Sequence, residues 1–439
     1  MSSSPKPLMY AELLSNIRQI SVLVALDTPC GPGTNAQLSA DGRQFILQHE
    51  GDTFILNLPG QAVSNFPLQK PVLGNKDFSW RIPVAGEATR ASIEDAQSNE
   101  APWSAKDLSE DAEFACRNCG TAILEKGTIK EWRDLPSENW AEMMEFWHCH
   151  KPDVPPEEES GSSGQNGHVH PEETAASKGY GATSKFTART GIGFIDLTTF
   201  LLDNSDCTNI KLIERTDDRP ASIFCTHCHH NLGVEDLQPH GFRLYKWSLT
   251  LLSSQLQSIQ SPTLSSLISS KCLASIKANC VGKLVLEPRA VLAESTSTIT
   301  PTPSAVSSSA SSSSSTTPPP LTASQYMANS LPMQSCWFLL WVLQPSLFYS
   351  IGRCANGPNT PMSTLGSPNH AMKVFWRPIS VDEAKTLLDA ETADELVLPE
   401  DIVVKIEGIL RDSALCLPPS ARKFQDWDVG LLERYQPIK

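Results

Sequence analysis

Apolar and polar residues alternate along the first quarter of the chain, as they do in β-strands that have one buried face. The clearest strand candidates in this part are Gln19–Leu26, Phe45–Leu58 and Phe78–Val84. The second of them is interrupted by Gly51-Asp52, a turn sequence, and therefore predicts a β-hairpin. Residues 1–112 are interpreted as a strand-rich N-terminal region.

Residues 325–439 combine strand and helix patterns. Strands are predicted at Cys336–Val342, Met372–Trp376, Glu395–Leu398 and Phe424–Tyr435. Ser380 and Glu383 form a capping box, which predicts a helix from there to about Leu388. A second helix is predicted over Pro399–Asp412, because apolar residues recur there at helical spacing. Its apolar stripe consists of Ile402, Val403, Ile406 and Ile409. This C-terminal part is interpreted as α+β.

The most apolar segment of the chain is Cys336–Ile351. It has about 16 residues and contains Gln344 and Pro345, whereas a membrane-spanning helix needs roughly 20 apolar residues. We interpret it as buried strands and expect no membrane association. The first 25 residues also lack the pattern of a signal peptide. We therefore expect the protein in the cytoplasm, the nucleus or both.

The middle of the chain holds two C-x-x-C motifs. The first lies in residues 113–152, which also carry a predicted helix with Ser137 as its N-cap. That helix has one apolar stripe, formed by Trp140, Met143, Met144 and Trp147. The second motif lies in residues 186–294, together with further strands that include a single one over Phe242–Leu252.

Two low-complexity segments separate these parts. Residues 153–185 are rich in Glu, Ser, Gly and His, and residues 295–324 consist almost entirely of Ser, Thr, Pro and Ala. Neither composition can bury enough apolar surface to fold, so both are predicted to be disordered inserts. The predicted fold class is α+β, mostly β, with one aromatic helix in the middle of the chain. We also expect this middle part to be cross-linked by zinc through the C-x-x-C motifs, as argued below.

Net charge and motifs exclude several classes of function. The 439 residues carry a formal net charge of −14, which argues against direct nucleic-acid binding, since that needs a basic face. The sequence contains no Walker loop, no G-x-G-x-x-G after a strand, no H-E-x-x-H and no G-x-S-x-G. Nucleotide binding and common hydrolase chemistry are therefore not expected.

The two cysteine pairs carry the strongest chemical signal in the sequence. Cys116 and Cys119 form one pair and Cys225 and Cys228 the other. Two residues between cysteines allow a tight turn to direct both thiolates at one ion, so two such turns predict a structural four-thiolate zinc site. We expect Gly120, after the first pair, and Gly233, five residues after the second, to supply the positive φ that these turns require.

Two other interpretations of the cysteines stay open. A mixed site could use a nearby histidine, and the candidates are His148, His150, His227, His229 and His230. The four cysteines could also be ordinary buried residues without a metal. Cys149, between His148 and His150, could be a reactive thiol or part of a packed helix end.

A set of uncommon residues resembles the HECT-like ubiquitin-conjugating-enzyme-binding family. The cysteine pairs sit where that family has them, and the remaining similar segments are Leu135–Trp140, Glu142–Met144, Phe146–Pro152, Trp341–Leu343 with Pro345 and Tyr349-Ser350, Ala371–Val374, and Leu417–Ser420 with Arg422. The resemblance covers nearly the whole chain apart from the two low-complexity segments.

The resemblance implies a ubiquitin-protein ligase. Its partners would be a ubiquitin-conjugating enzyme, ubiquitin and a protein substrate, and it would promote transfer of ubiquitin to a lysine. Transfer through a thioester requires an exposed cysteine with a lowered pKa. The candidates are Cys416, directly before Leu417-Pro418 as in a vaguely HECT-like arrangement, and Cys149.

The sequence also supports a second, non-catalytic function. The strongest motif is structural, which favours a zinc-stapled, non-catalytic adaptor or chaperone for a protein client. The resemblance suggests the pre-mRNA 3′-end cleavage machinery as such a client, because members of the family have been tied to it.

Overall fold

The structure is a computed structural model, and it describes residues 7–86, 101–135, 187–213, 220–236, 241–252, 261–289, 337–354 and 368–436. Strands predominate in these ranges, and three α-helices accompany them. This confirms the predicted α+β, mostly β class. The expected aromatic helix and the two low-complexity segments lie outside the described residues.

The largest sheet has nine strands and draws them from both ends of the chain. In chain order they are β1 (Leu8–Leu14), β2 (Gln19–Ala25), β6 (Asp77–Pro83), β17 (Lys283–Arg289), β18 (Trp337–Ile351), β20 (Asn369–Ile379), β21 (Asp394–Pro399), β22 (Lys423–Phe424) and β23 (Trp427–Glu433). The order across the sheet is β22-β23-β20-β18-β1-β2-β6, and β17 lies between β18 and β21.

A four-stranded sheet packs against the N-terminal strands of the large sheet. It consists of β3 (Asn35–Leu38), β4 (Gln44–His49), β5 (Asp52–Asn57) and β19 (Arg353–Cys354). The predicted hairpin is confirmed, but its turn is one residue earlier than expected, because His49 pairs with Asp52. Glu50 and Gly51 both have positive φ, as a two-residue hairpin turn requires.

Two further sheets form the middle of the molecule and enclose one apolar core. The seven-stranded one contains β9 (Glu131–Asp134), β10 (Ile192–Ile195), β11 (Thr199–Asp203), β12 (Ile210–Ile213), β13 (Ser222–Cys225), β14 (Asn231–Asp236) and β15 (Gly241–Tyr245). The three-stranded one contains β7 (Glu113–Cys116), β8 (Ala122–Leu124) and β16 (Leu249–Leu252).

The prediction of one strand over Phe242–Leu252 is wrong. A 3₁₀ turn at Lys246–Ser248 separates β15 from β16, and the two strands belong to different sheets. Lys246 is buried in this turn, and its side-chain amine donates to the carbonyls of Pro102 (2.8 Å) and Trp103 (3.3 Å). The alternation of apolar and polar residues does not reveal that the chain passes from one sheet to another within this segment.

The three helices cover the large sheet. Helices α1 (Leu264–Asn279) and α3 (Glu400–Ala414) pack on one face, and α2 (Val381–Asp389) packs on the other. Strand β17 and the first part of β18 are thus buried on both faces, which explains why residues 337–342 are all apolar. The predicted helix start is confirmed, since the Ser380 hydroxyl accepts the Glu383 N–H at 3.1 Å, but the Glu383 carboxylate pairs with Arg377 and does not complete the capping box. Helix α1 was not predicted.

Among the described residues, no helix is long and apolar enough to cross a membrane.

Candidate functional site

The two C-x-x-C turns meet between the two sheets of the middle region. Cys116 ends β7 and Cys225 ends β13, while Cys119 and Cys228 lie in the turns that follow. The sulfurs of Cys116 and Cys228 are 3.7 Å apart, and those of Cys119 and Cys225 are 3.6 Å apart. All four sulfurs lie within 4.8 Å of one another. The cluster therefore joins the three-stranded sheet to the seven-stranded sheet.

Backbone hydrogen bonds shape the first turn. The Cys116 N–H donates to the Thr121 carbonyl, and the Gly120 N–H donates to the Cys116 carbonyl, both at 2.8 Å. Gly120 has a φ of 76°, a conformation that costs glycine little. The expected role of Gly120 is confirmed.

The second turn repeats this geometry with a different residue at the strained position. The Cys225 N–H donates to the His230 carbonyl at 3.0 Å, and the His229 N–H donates to the Cys225 carbonyl at 2.9 Å. His229, with a φ of 56°, takes the position that Gly120 has in the first turn. The role expected for Gly233 is wrong. Gly233 lies in β14, where a Cβ would collide with the backbone carbonyl of Arg243.

The thiols of the cluster differ in their electrostatics. Burial raises the pKa of the Cys116 and Cys225 thiols, whereas hydrogen bonding with the Thr121 hydroxyl, 3.2 Å from Sγ, lowers the pKa of Cys119 to about 5. Four thiolates this close together repel one another unless a cation lies between them. The arrangement can hold a metal ion.

Histidine nitrogens are not part of this group. Within the described ranges, the potential metal ligands that come together here are the four cysteine sulfurs. His227, His229 and His230 are described and do not join them. His148 and His150 lie outside the described residues. The four-cysteine set is thus the arrangement that the fold brings together.

Of the two candidate thioester cysteines, Cys416 is not part of the four-cysteine cluster. Cys149 lies outside the described residues. Cys416 follows α3 and contributes to a cavity of about 930 Å³ that is also lined by Tyr349 and Glu433. Partial burial raises the pKa of the Cys416 thiol, which is the opposite of the shift that activates a nucleophilic cysteine.

A second cavity, of about 500 Å³, lies between the cysteine turns and α3. We call it the turn–helix groove, and its walls include Arg117 and Asn118 of the first turn, His230 after the second, and Ile402, Lys405, Gly408 and Ile409 of α3. The sequence analysis missed these residues. Two signals could have found them, namely the arginine within the first C-x-x-C and the glycine in the middle of a predicted helix.

These features define a strand-rich protein whose two central sheets are joined by a closed cluster of four thiols. The model of the family described as HECT-like ubiquitin-conjugating enzyme (E2)-binding matches residues 12–429. The chain belongs to this family, which confirms the resemblance seen in the sequence. The family description connects the chain with binding of a ubiquitin-conjugating enzyme.

Two fungal proteins are similar to short parts of the chain. The uncharacterized protein YJR141W of Saccharomyces cerevisiae is 36% identical over 84 residues, which cover 18% of this chain and 24% of that protein. The uncharacterized protein C1734.10c of Schizosaccharomyces pombe is 38% identical over 55 residues, 12% of this chain and 16% of its own length. The matched part is thus a quarter or less of these relatives. No solved structure matches the chain.

Proposed function

We propose that this protein is a ubiquitin-protein ligase that binds a ubiquitin-conjugating enzyme and promotes transfer of ubiquitin to lysines of a protein substrate. The family match over residues 12–429 carries this proposal. The match extends over all four sheets and is therefore not limited to one appended motif. Ubiquitin and the substrate are the further partners.

The proposal includes a structural zinc ion held by Cys116, Cys119, Cys225 and Cys228. Four sulfurs at about 2.3 Å from a tetrahedral zinc ion lie about 3.8 Å from one another, close to the 3.6 and 3.7 Å separations in the cluster. Four thiolates leave no open coordination position. When bound, zinc would cross-link the two sheets and would take no part in catalysis.

A second candidate function is a zinc-stapled, non-catalytic adaptor or chaperone for a protein client such as the pre-mRNA 3′-end cleavage machinery. The raised pKa of Cys416 favours it, because a thiol that stays protonated is a weak acceptor of ubiquitin. Such a client would place the protein in the nucleus, whereas general ligase activity fits the cytoplasm as well.

A single-turnover transfer assay separates these functions. A conjugating enzyme preloaded with labelled ubiquitin is mixed with the full chain and followed on reducing and non-reducing gels. The ligase proposal expects faster discharge of ubiquitin onto lysine. Cys416→Ser and Cys149→Ser test the two candidate thiols, and Cys280→Ser is the matched control, because Cys280 is exposed at the end of α1 and far from both turns in sequence.

Each outcome has a defined meaning. A reducible ubiquitin adduct that is lost in one variant identifies that cysteine as the thioester-forming residue. Faster discharge without an adduct indicates a ligase that acts without a covalent intermediate. Unchanged discharge across a panel of conjugating enzymes would contradict the ligase proposal and favour the adaptor or chaperone.

A further inference from the structure

Two carboxyl groups lie side by side at one edge of the large sheet. Strand β21 pairs in parallel with β17 and, within the described ranges, with no other strand. In this pairing Glu395 lies opposite Val285, and Glu287 lies opposite Val397. Because side chains alternate between the two faces of a sheet, Glu287 and Glu395 point to the same face, one step apart along neighbouring strands.

The groups around this pair leave it short of positive charge. Arg289 of β17 favours the ionised form of Glu395, whereas Asp394 of its own strand opposes it. Asp394 itself accepts a hydrogen bond from Asn279 of α1 at 2.7 Å. Helix α2 packs on the face that carries the pair, and it does so through the uncharged side chains of Ala384, Leu387 and Leu388.

A hydrogen bond between two carboxyl groups requires a proton. Ionised carboxylates can only accept hydrogen bonds, yet the side chains of Glu287 and Glu395 are hydrogen-bonded to each other. This hydrogen bond, together with burial and the charge of Glu287, raises the pKa of Glu395 from 4.5 to about 7. Two carboxyl groups this close titrate as a pair, because the first negative charge opposes the second.

We propose that Glu287 and Glu395 share one proton in the folded protein, and that loss of this proton as the pH rises through neutrality loosens the edge strand β21. The proton passes to solvent, the hydrogen bond between the carboxyl groups is lost, and two negative charges then face each other across the β17–β21 pairing. Strand β21 connects α2 to α3 in the chain, so the pair makes the connection between these helices sensitive to pH. This inference does not depend on the proposed function.

The difference between folded and unfolded chain gives the direction of the effect. Between about pH 4.5 and 7, the folded protein holds a proton that the carboxyl group of Glu395 releases in the unfolded chain. The contribution of the pair to stability is therefore fully present below this range. It is lost as the pH rises to about 7 and does not return above it.

Hydrogen–deuterium exchange of the full chain tests the inference. Protection of the backbone amides of 394–398 is measured by mass spectrometry at pH 5, 6, 7 and 8, after correction for the intrinsic pH dependence of exchange. In the wild type we expect this protection to fall at least about threefold between pH 5 and 8. Glu395→Gln and Glu287→Gln should keep it constant, because the amide of glutamine donates to the remaining carboxylate without a shared proton. The matched control is Glu125→Gln, which removes an exposed carboxylate next to β8 and should behave as the wild type does.

Each result decides for or against the shared proton. A fall in protection that is confined to β21 and absent from both glutamine variants supports it. Constant protection of β21 in the wild type overturns it. An equal fall in the wild type and the glutamine variants also overturns it, because other groups would then be responsible. The amides of the central strand β20 serve as the internal reference, and a fall of the same size there would overturn the local effect in favour of a global loss of stability.

Discussion

At the scale of single residues, Lys246 is a buried amine at the turn where the chain passes from one sheet to another. Its side chain is 1% exposed, donates to two backbone carbonyls and lies 5.3 Å from the centre of the Phe200 ring. Burial lowers the pKa of Lys246 to about 7. The charged form is thus costly in the folded protein, even with these partners.

This shift predicts how stability depends on pH. Between about pH 7 and 10.5, the unfolded chain keeps the Lys246 proton that the folded protein has released, so stability rises with pH by up to about 1.4 kcal/mol per unit. Lys246→Met should lack this contribution. Urea unfolding at pH 6.5, 8 and 9 measures it, with the exposed Lys385→Met as control. Parallel pH profiles of the wild type and Lys246→Met would contradict the prediction.

Gly408 and Gly430 predict opposite effects of the same substitution. Gly408→Ala adds a methyl group in open space within a helix and should stabilise the protein by about 0.5–1 kcal/mol. Gly430→Ala should destabilise it, because the new Cβ would press against Leu410 of α3. Thermal unfolding of both variants measures the difference. A loss of stability in Gly408→Ala would mean that the space above this residue is occupied.

At the scale of elements, the two cysteine turns show what local sequence can specify. Each turn combines the C-x-x-C spacing with a residue of positive φ, Gly120 in one and His229 in the other. Helix α1 shows the reverse. Its buried side includes Ser265 and Ser269, which form hydrogen bonds with the backbone of Glu433 on β23. Because these buried positions are polar, the periodicity of apolar residues is too weak to predict the helix.

Metal removal should unfold the middle of the molecule. If zinc binds the four thiols, its binding free energy is part of the folding free energy, and chelation should lower the unfolding free energy by several kcal/mol. Cys119→Ser should release the zinc and have a similar effect, whereas Cys280→Ser should not. Metal content by mass spectrometry and thermal unfolding test this. A full thermal transition in Cys119→Ser, together with indifference to chelator, would refute the zinc staple.

At the scale of the whole molecule, the large sheet joins distant parts of the chain. Strand β1 pairs with β18, with Tyr10 opposite Ile351, and β17 pairs with β18, with Leu286 opposite Phe338. Lys373 and the buried Glu12 form an ion pair at 2.7 Å between β20 and β1. The N-terminal and C-terminal regions recognised in the sequence are therefore linked by one sheet. The division of the chain into six consecutive parts stays a prediction.

The pairing of β17 with β18 predicts that residues 295–324 are dispensable for stability. These residues lie outside the described ranges, but they connect two strands that are adjacent and antiparallel. The free energy of loop closure changes by only about 0.6 kcal/mol for each halving of length. Deleting 295–324 should therefore leave urea stability unchanged or raise it by about 1 kcal/mol. A large loss of stability would show that this tract makes contacts of its own.

The strand-rich class, the hairpin of β4 and β5, the Ser380 N-cap of α2, helix α3 and the cysteine pairs could all be predicted from the sequence, because each depends on neighbours along the chain. Which distant segments meet became clear only from the three-dimensional fold. It brought Cys116 and Cys119 to Cys225 and Cys228, and it divided 242–252 between two sheets. It also formed the turn–helix groove from the cysteine turns and α3. Such contacts depend on which apolar faces are buried together, and periodicity within one segment carries no information about its partner.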